Sequence, residues 1–252
     1  MVRRAVLICS LAFLAGVAIA NPRPPTILTP VEEPDAVLNG SRTGKKIALT
    51  FDACSIRHPK LDQRIVQVLL ETHTPATIFL GGKWMEEQPE QTKFLASIPQ
   101  FELANHGYMH AHMTRLAPLK MEAEIEKTQQ IMHRLTGHEA VFFRPPFGEY
   151  DNRVVHIAGK LGLETIEYDL ASGDPDKHAT KEKLIEYVTW KAKSGSIIVM
   201  HINGKGWHTA EALPTIISKL RKEGYTLTTL SDMLSIEPAQ APVAAGAILG
   251  RK

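Results

Sequence analysis

Short apolar runs recur along the chain at residues 47–51, 76–80, 101–104, 141–143, 163–168, 197–200 and 225–230. Each has the length of a strand. Between them lie segments whose apolar residues fall three and four apart, over 61–70, 119–135, 154–161, 181–192 and 210–220, the spacing of helices with one buried face. Strands alternating with helices predict a parallel sheet. Seven such units in one chain predict a single α/β domain built as a distorted (β/α) barrel of about seven parallel strands, in preference to an open doubly wound sheet.

The two ends break the pattern. Residues 1–20 carry Arg3 and Arg4, then an apolar run closing on Ala18-Ile19-Ala20, which is the layout of a secretory signal peptide and too short for a membrane span. Export to the periplasm or beyond is therefore expected, with no stable membrane insertion once the leader is removed. Residues 21–44, with Pro22, Pro24, Pro25, Pro30 and Pro34, are predicted to form a linker. The domain is expected over 45–236, and 237–252 as a flexible tail.

Composition narrows the function classes. With 44% hydrophobic and 22% charged residues the chain is an ordinary globular protein. Losing Arg3 and Arg4 with the leader would leave the mature chain close to neutral, which argues against a nucleic-acid partner. It would also leave Cys54 as the lone cysteine and exclude an internal disulfide. No glycine-rich dinucleotide fingerprint or phosphate loop follows a predicted strand, so nucleotide cofactors are not expected. Nothing in the sequence fixes the oligomeric state.

In a parallel barrel the chemistry gathers at the C-terminal strand ends, and the residues that close the apolar runs are ionisable. Asp52 ends the first run, Asn105-His106 the third, Arg144-Pro145-Pro146-Phe147 the fourth and His201 the sixth, while Asp169 and Asp174 follow the fifth. His106 and His110 stand four apart, which on a helical turn would place both imidazoles on one face within reach of a metal ion. His112 adds a further imidazole, expected on the surface. Arg144 between apolar neighbours needs a carboxylate partner if buried, and Asp52 is the economical one.

Taken in order, Thr50-Phe51-Asp52, His106-Gly107-Tyr108-Met109-His110, Arg144-Pro145-Pro146-Phe147-Gly148, the stretch from Tyr168 to Asp174, and the run Ile197 to His201 resemble the five motifs of the polysaccharide deacetylases, carbohydrate esterase family 4, the NodB-homology domain. The resemblance covers about residues 45–233. It implies a metal-dependent hydrolase that removes acetyl groups from an acetylated glycan such as peptidoglycan, N-acetyl groups foremost. It further implies a divalent cation, usually Zn2+ with Co2+ or Ni2+ as options, held by His106 and His110. Asp52 would be the base, Arg144 its support, His201 the acid and Asp174 the group that orients it, with Phe147 and Tyr168 against the substrate.

Two positions depart from the family pattern. The family usually carries a second aspartate after the base as a metal ligand, whereas this chain has Ala53. Cys54, a water or an acid from another loop would have to complete the shell, or the domain has lost its metal and binds glycan without hydrolysing it. Asp174 is followed by Pro175 where the family usually has tryptophan, and Trp207 would be the substitute sugar-stacking face.

Overall fold

A computed structural model describes residues 35–55 and 60–235. The expected leader, the first part of the expected linker and the expected tail lie outside them. All seven expected strands form: β1 (Lys46–Ala53), β2 (Ala76–Leu80), β3 (Phe101–Asn105), β4 (Phe142–Phe143), β5 (Glu164–Thr165), and, after a short additional β6 (Leu170–Ala171), β7 (Ile197–His201) and β8 (Thr226–Thr228). Every pairing between them is parallel.

The sheet runs β5-β4-β3-β2-β1-β7-β6. β1 is its centre and is flanked twice on one side: Lys46–Ala48 pairs with β8, and Thr50–Ala53 with β2. Its other side pairs with β7 from Ala48↔Ile197 to Asp52↔His201. Alternation along β1 sorts its side chains. Ile47, Leu49, Phe51 and Ala53 join the large cluster under the helices, while Ala48 joins a smaller inner cluster with Phe79, Ala104, Phe142, Ile166 and Ile197. Asp52 shares the parity of Ala48 and so points into the barrel.

The outer layer comprises α1 (Gln63–Glu71), α2 (Gly82–Glu87), α3 (Pro89–Ala96), α4 (Pro118–Thr136), α5 (Asn152–Lys160), α6 (Lys181–Lys191) and α7 (Thr209–Lys222), whereas α8 (Leu230–Leu234) sends Leu230 and Met233 into the inner cluster. α1, α5 and α6 begin at Asp62, Asp151 and Thr180, whose side chains accept from backbone N–H groups of the first turn. α2 and α3 are short and separated at Pro89, so they lack the periodic stretch that identifies a longer helix.

The edge strands β5 and β6 do not pair with each other, and the barrel is open between them. Within the stretch expected to be linker, Val37 forms a parallel bridge to Ile166 and Asn39 an antiparallel bridge to Ser196. Val37 N–H donates to Thr165 O, Glu167 N–H to Val37 O and Gly40 N–H to Gly195 O, at 2.8–2.9 Å. Arg42 adds an ion pair to Asp169 at 2.9 Å. A strap of residues 37–42 thus spans the open seam. No helix among the described residues is long and apolar enough to cross a membrane.

Candidate active site

At the C-terminal end of the strands lies a cavity of about 260 Å³ lined by Asp52, His106, His110, Arg144, Phe147, Tyr168, Asp174 and His201, among others. Eight sequence-predicted residues from five separate chain segments thus meet in one place. A larger cavity of about 430 Å³ opens elsewhere, around Phe101, Glu102, Leu103 and Val141. Its central carboxylate, Glu102, is consumed by Thr77, Leu230 and Ser231, so it offers less free chemistry.

Asp52 and Arg144 form the buried centre. Arg144 is 1% exposed; it donates from NH1 to Asp52 Oδ1 at 2.8 Å and lies 3.9 Å over the Phe79 ring. A guanidinium removed from water needs both a carboxylate and a polarisable floor, and here it has them. Burial by itself would raise the Asp52 pKa, but the charge of Arg144, aided by His106 and His201, holds it below the usual carboxylate value. Asp52 is therefore ionised at neutral pH. Its Oδ2 faces His106 Nε2 at 3.7 Å.

The two imidazoles come from an irregular loop, not the helical turn their spacing suggested. Gly107 and His110 both have positive φ, 69° and 57°, which no helix contains. Asn105 and Glu124 hold the loop: Asn105 Oδ1 accepts Gly107 N–H at 2.9 Å, and Glu124 on α4 accepts the N–H groups of Tyr108 and Met109 at 3.0 and 2.8 Å. The His106 and His110 rings end 5.1 Å apart. His106 Nδ1–H donates to the Arg144 carbonyl at 2.8 Å, which leaves the Nε2 lone pair facing the cavity, as in a histidine oriented to bind metal. Burial lowers both pKa values, that of His110 to about 3, so both rings are neutral. Neutral, oriented imidazoles fit a divalent ion. The fit stops at this pair: among the described residues no group of three or more His, Cys, Asp and Glu side chains forms a ready-made metal cage.

His201 belongs to a second network. Its Nδ1–H donates to Asp174 Oδ1 at 2.8 Å, and Asp174 Oδ2 accepts both His201 N–H at 2.7 Å and the Thr209 hydroxyl at 2.6 Å. Burial would lower the His201 pKa, but the hydrogen bond and charge of Asp174 reverse that and raise it. The loop carrying Trp207 closes tightly over Asp174, and a side chain at Gly206 would meet Asp174 Oδ2 at 2.6 Å and the His201 carbonyl at 2.7 Å, so only glycine fits.

The remaining predicted residues divide. Phe147, at φ 66° and 51% exposed, and Tyr168 both line the cavity. Trp207 does not line it; it is 52% exposed, and its backbone N–H donates to the Asp174 carbonyl. Cys54 is buried outside the lining, its backbone carbonyl and Sγ engaged by Asn203, and burial pushes its thiol up to about 12. A thiol so reluctant to ionise is poorly suited to a thiolate ligand. Ala53 is fully buried in the outer cluster. Asp169 lies apart from the site, bonded to Ser196, Ile197 N–H and Arg42.

Sequence reasoning missed Glu167, buried beside this centre with Oε1 unpartnered. Its backbone carbonyl accepts from Arg144 NH2 at 3.4 Å. Burial pushes its carboxyl up to about 7 against the lowering charge of Arg144. No pattern signal marks it, because it sits within an apolar run. Thr209 and Glu124 were missed for a different reason: their roles depend on contacts 35 and 15–16 residues away in the chain.

The profile of the family described as polysaccharide deacetylase matches residues 39–166. The chain is 25% identical over 215 residues to the peptidoglycan-N-acetylmuramic acid deacetylase PdaA of Bacillus subtilis, which covers 84% of this chain and 80% of that one. With a peptidoglycan-N-acetylglucosamine deacetylase of Bacillus cereus it shares 28% identity over 193 residues, 75% of this chain and 88% of the relative. It spans about half, 52%, of a further Bacillus subtilis relative, YlxY, at 27% identity over 68% of this chain. Among solved structures, a CE4 family pseudoenzyme from Bacillus anthracis superposes with a TM-score of 0.74 at 28% identity, covering 80% of this chain and 69% of that one. A mutant of that pseudoenzyme with restored enzymatic activity gives the same TM-score at 29% identity, covering 80% and 71%.

Proposed function

The chain belongs to the polysaccharide deacetylase family, and on that premise we propose that it is a metal-dependent hydrolase that removes acetyl groups from an N-acetylated glycan, with peptidoglycan the nearest substrate. The observation that carries the reading is the pairing of Asp52 with His201 as register partners on β1 and β7. Arg144 favours the ionised form of one and Asp174 the protonated form of the other, which supplies a base and an acid side by side.

His106 and His110 would hold a divalent ion, Zn2+ first and Co2+ or Ni2+ as alternatives. When bound, such an ion supplies positive charge that polarises an acyl oxygen and raises the acidity of water. Asp52 Oδ2 takes the proton from the attacking water while Arg144 keeps Oδ1 fixed. His201, anchored through Nδ1, gives its Nε2 proton to the departing amine, so the water ends in acetate and the two protons balance. A backbone N–H near Phe147 would help hold the oxyanion, the Phe147 and Tyr168 rings in the cavity lining would bound the sugar, and Trp207 would offer a stacking face. Residues 1–20 would direct the protein out of the cytoplasm, in keeping with a cell-wall substrate like that named for the peptidoglycan deacetylases among its relatives.

A second reading, a glycan-binding domain that does not hydrolyse, is favoured by one observation: the imidazole pair has Ala53 beside the base where the family places a carboxylate ligand. A single experiment separates the two. Purified protein loaded with Zn2+, Co2+ or Ni2+ is expected to release acetate from N-acetylglucosamine oligomers or peptidoglycan, with Asp52→Asn lowering the rate by about 10²- to 10⁴-fold. Absence of acetate from every glycan tried, with each metal bound, would move the assignment to the binding domain.

A further inference from the structure

Phe147 is half exposed at the cavity mouth, and its backbone sits in the left-handed region that non-glycine residues rarely adopt. The core does not hold its ring. Two imidazoles do. His110 meets it edge-on, with ring centroids 4.4 Å apart and planes at 70°, and His112 lies flat on it, with centroids 4.1 Å apart and planes at 10°. His112 is fixed in turn, because its Nδ1–H donates to Glu149 Oε2 at 2.8 Å. Glu149 follows Phe147 after Gly148, whose φ of 68° turns the chain so that the carboxylate reaches back to the ring stacked on Phe147. A continuous row therefore runs from Glu149 through His112, Phe147 and His110 to His106, the last contact being the 5.1 Å edge between the two predicted metal ligands.

The two ends of the row are fixed by hydrogen bonds, His106 to the Arg144 carbonyl and His112 to the Glu149 carboxylate, while Phe147 between them is held by ring contacts. We propose that His112 is a positioning residue of the active site: stacked on Phe147 and tied to Glu149, it holds the Phe147 ring as a flat face for the sugar and as the wall against which the His110 ring rests. The C–H face of a pyranose is apolar and flat, so an immobilised ring presents it a better surface than a freely rotating one, which must be ordered on binding. The identity of the ligand, an N-acetylated hexose unit, rests on the deacetylase reading; the stack does not.

The test compares His112→Ala with His112→Phe, which keeps a flat ring and loses the bond to Glu149. Three quantities are read: kcat and KM on a soluble N-acetylglucosamine oligomer with Zn2+, the Kd of that oligomer by calorimetry, and the NMR shift of the His110 Cε1–H in zinc-free protein, which the Phe147 ring current perturbs. The alanine variant is expected to raise KM and Kd about three- to tenfold, the range of a lost aromatic pair, with kcat within about twofold. Its His110 signal should move, and the phenylalanine variant, which keeps the stack without the anchor, should recover part of all three. If the alanine variant leaves KM, Kd and the His110 signal at wild-type values, or the two variants are equally impaired, the proposal fails. If wild type neither turns over nor binds the oligomer, it is the deacetylase reading that fails. The His110 signal then decides alone: moved further by alanine than by phenylalanine supports the positioning role, and unmoved by alanine or moved equally by both overturns it.

Discussion

Glu167 shows how one side chain leaves a mark on the behaviour of the fold. Burial lifts its carboxyl from the usual 4.5 to about 7. An acid whose folded pKa exceeds its unfolded value stabilises the fold at low pH and loses that contribution as pH rises from about 4.5 through about 7. His106 and His110, held neutral, act the other way, because stability falls as pH drops below the unfolded imidazole value of 6.5. Between about pH 5 and 6.5 the two trends oppose each other. Glu167→Gln isolates the first. The stability of the variant minus that of wild type should climb by up to about 3 kcal/mol between about pH 5 and 8, read from denaturant melts at each pH. A difference that stays flat across that range would mean that Glu167 is ionised in the fold throughout.

The loop after β3 carries the corresponding lesson for an element. The His-x-x-x-His spacing suggested a helical turn, yet the imidazoles converge through positive φ angles at Gly107 and His110. That shape is imposed from outside the loop by Glu124, which α4 brings to the N–H groups of Tyr108 and Met109. Glu124→Ala is therefore expected to cost about 1–3 kcal/mol in thermal or denaturant melts. It should also weaken Zn2+ binding about 10- to 100-fold in competition with a chromogenic chelator, with Glu124→Gln recovering most of both. Zinc affinity unchanged alongside lost stability would detach the loop's shape from its role. The same contrast explains what was legible in the sequence. Asp52, His106, Arg144 and His201 could be read because each closes an apolar run, and strand ends in a parallel barrel face one rim. The loop geometry, Thr209 and Glu124 could not, since long-range hydrogen bonds set them. Cys54 misled because adjacency along the chain does not make side chains face the same way once β1 ends at Ala53. Likewise β6, two residues long, and the short helices α2 and α3 are too brief to show a period.

Across the whole molecule, the sheet depends on residues that composition alone assigned to a linker. The strap from Val37 to Arg42 contributes three backbone hydrogen bonds and an ion pair across the open seam between β5 and β6. One of the three, from the Glu167 N–H to the Val37 carbonyl, lies one residue from Tyr168 in the cavity lining. A chain beginning at residue 45 should be less stable than one beginning at residue 35 by about 2–4 kcal/mol, or roughly 5–15 °C in Tm. Equal melting temperatures for the two would show that the strap decorates the barrel without supporting it.

That seam also has a kinetic meaning. A strap near the start of the domain pairs with Thr165 and Glu167 and then with Gly195 and Ser196, so closing the sheet joins segments more than 120 residues apart. Contacts of such long range form late, after much loop entropy has been surrendered. If the chain is threaded across a membrane from its N-terminus, the strap emerges early and must wait for β7. Until then β5 and β6 present open edges, and it is in that interval that the protein is most exposed to pairing with the wrong partner.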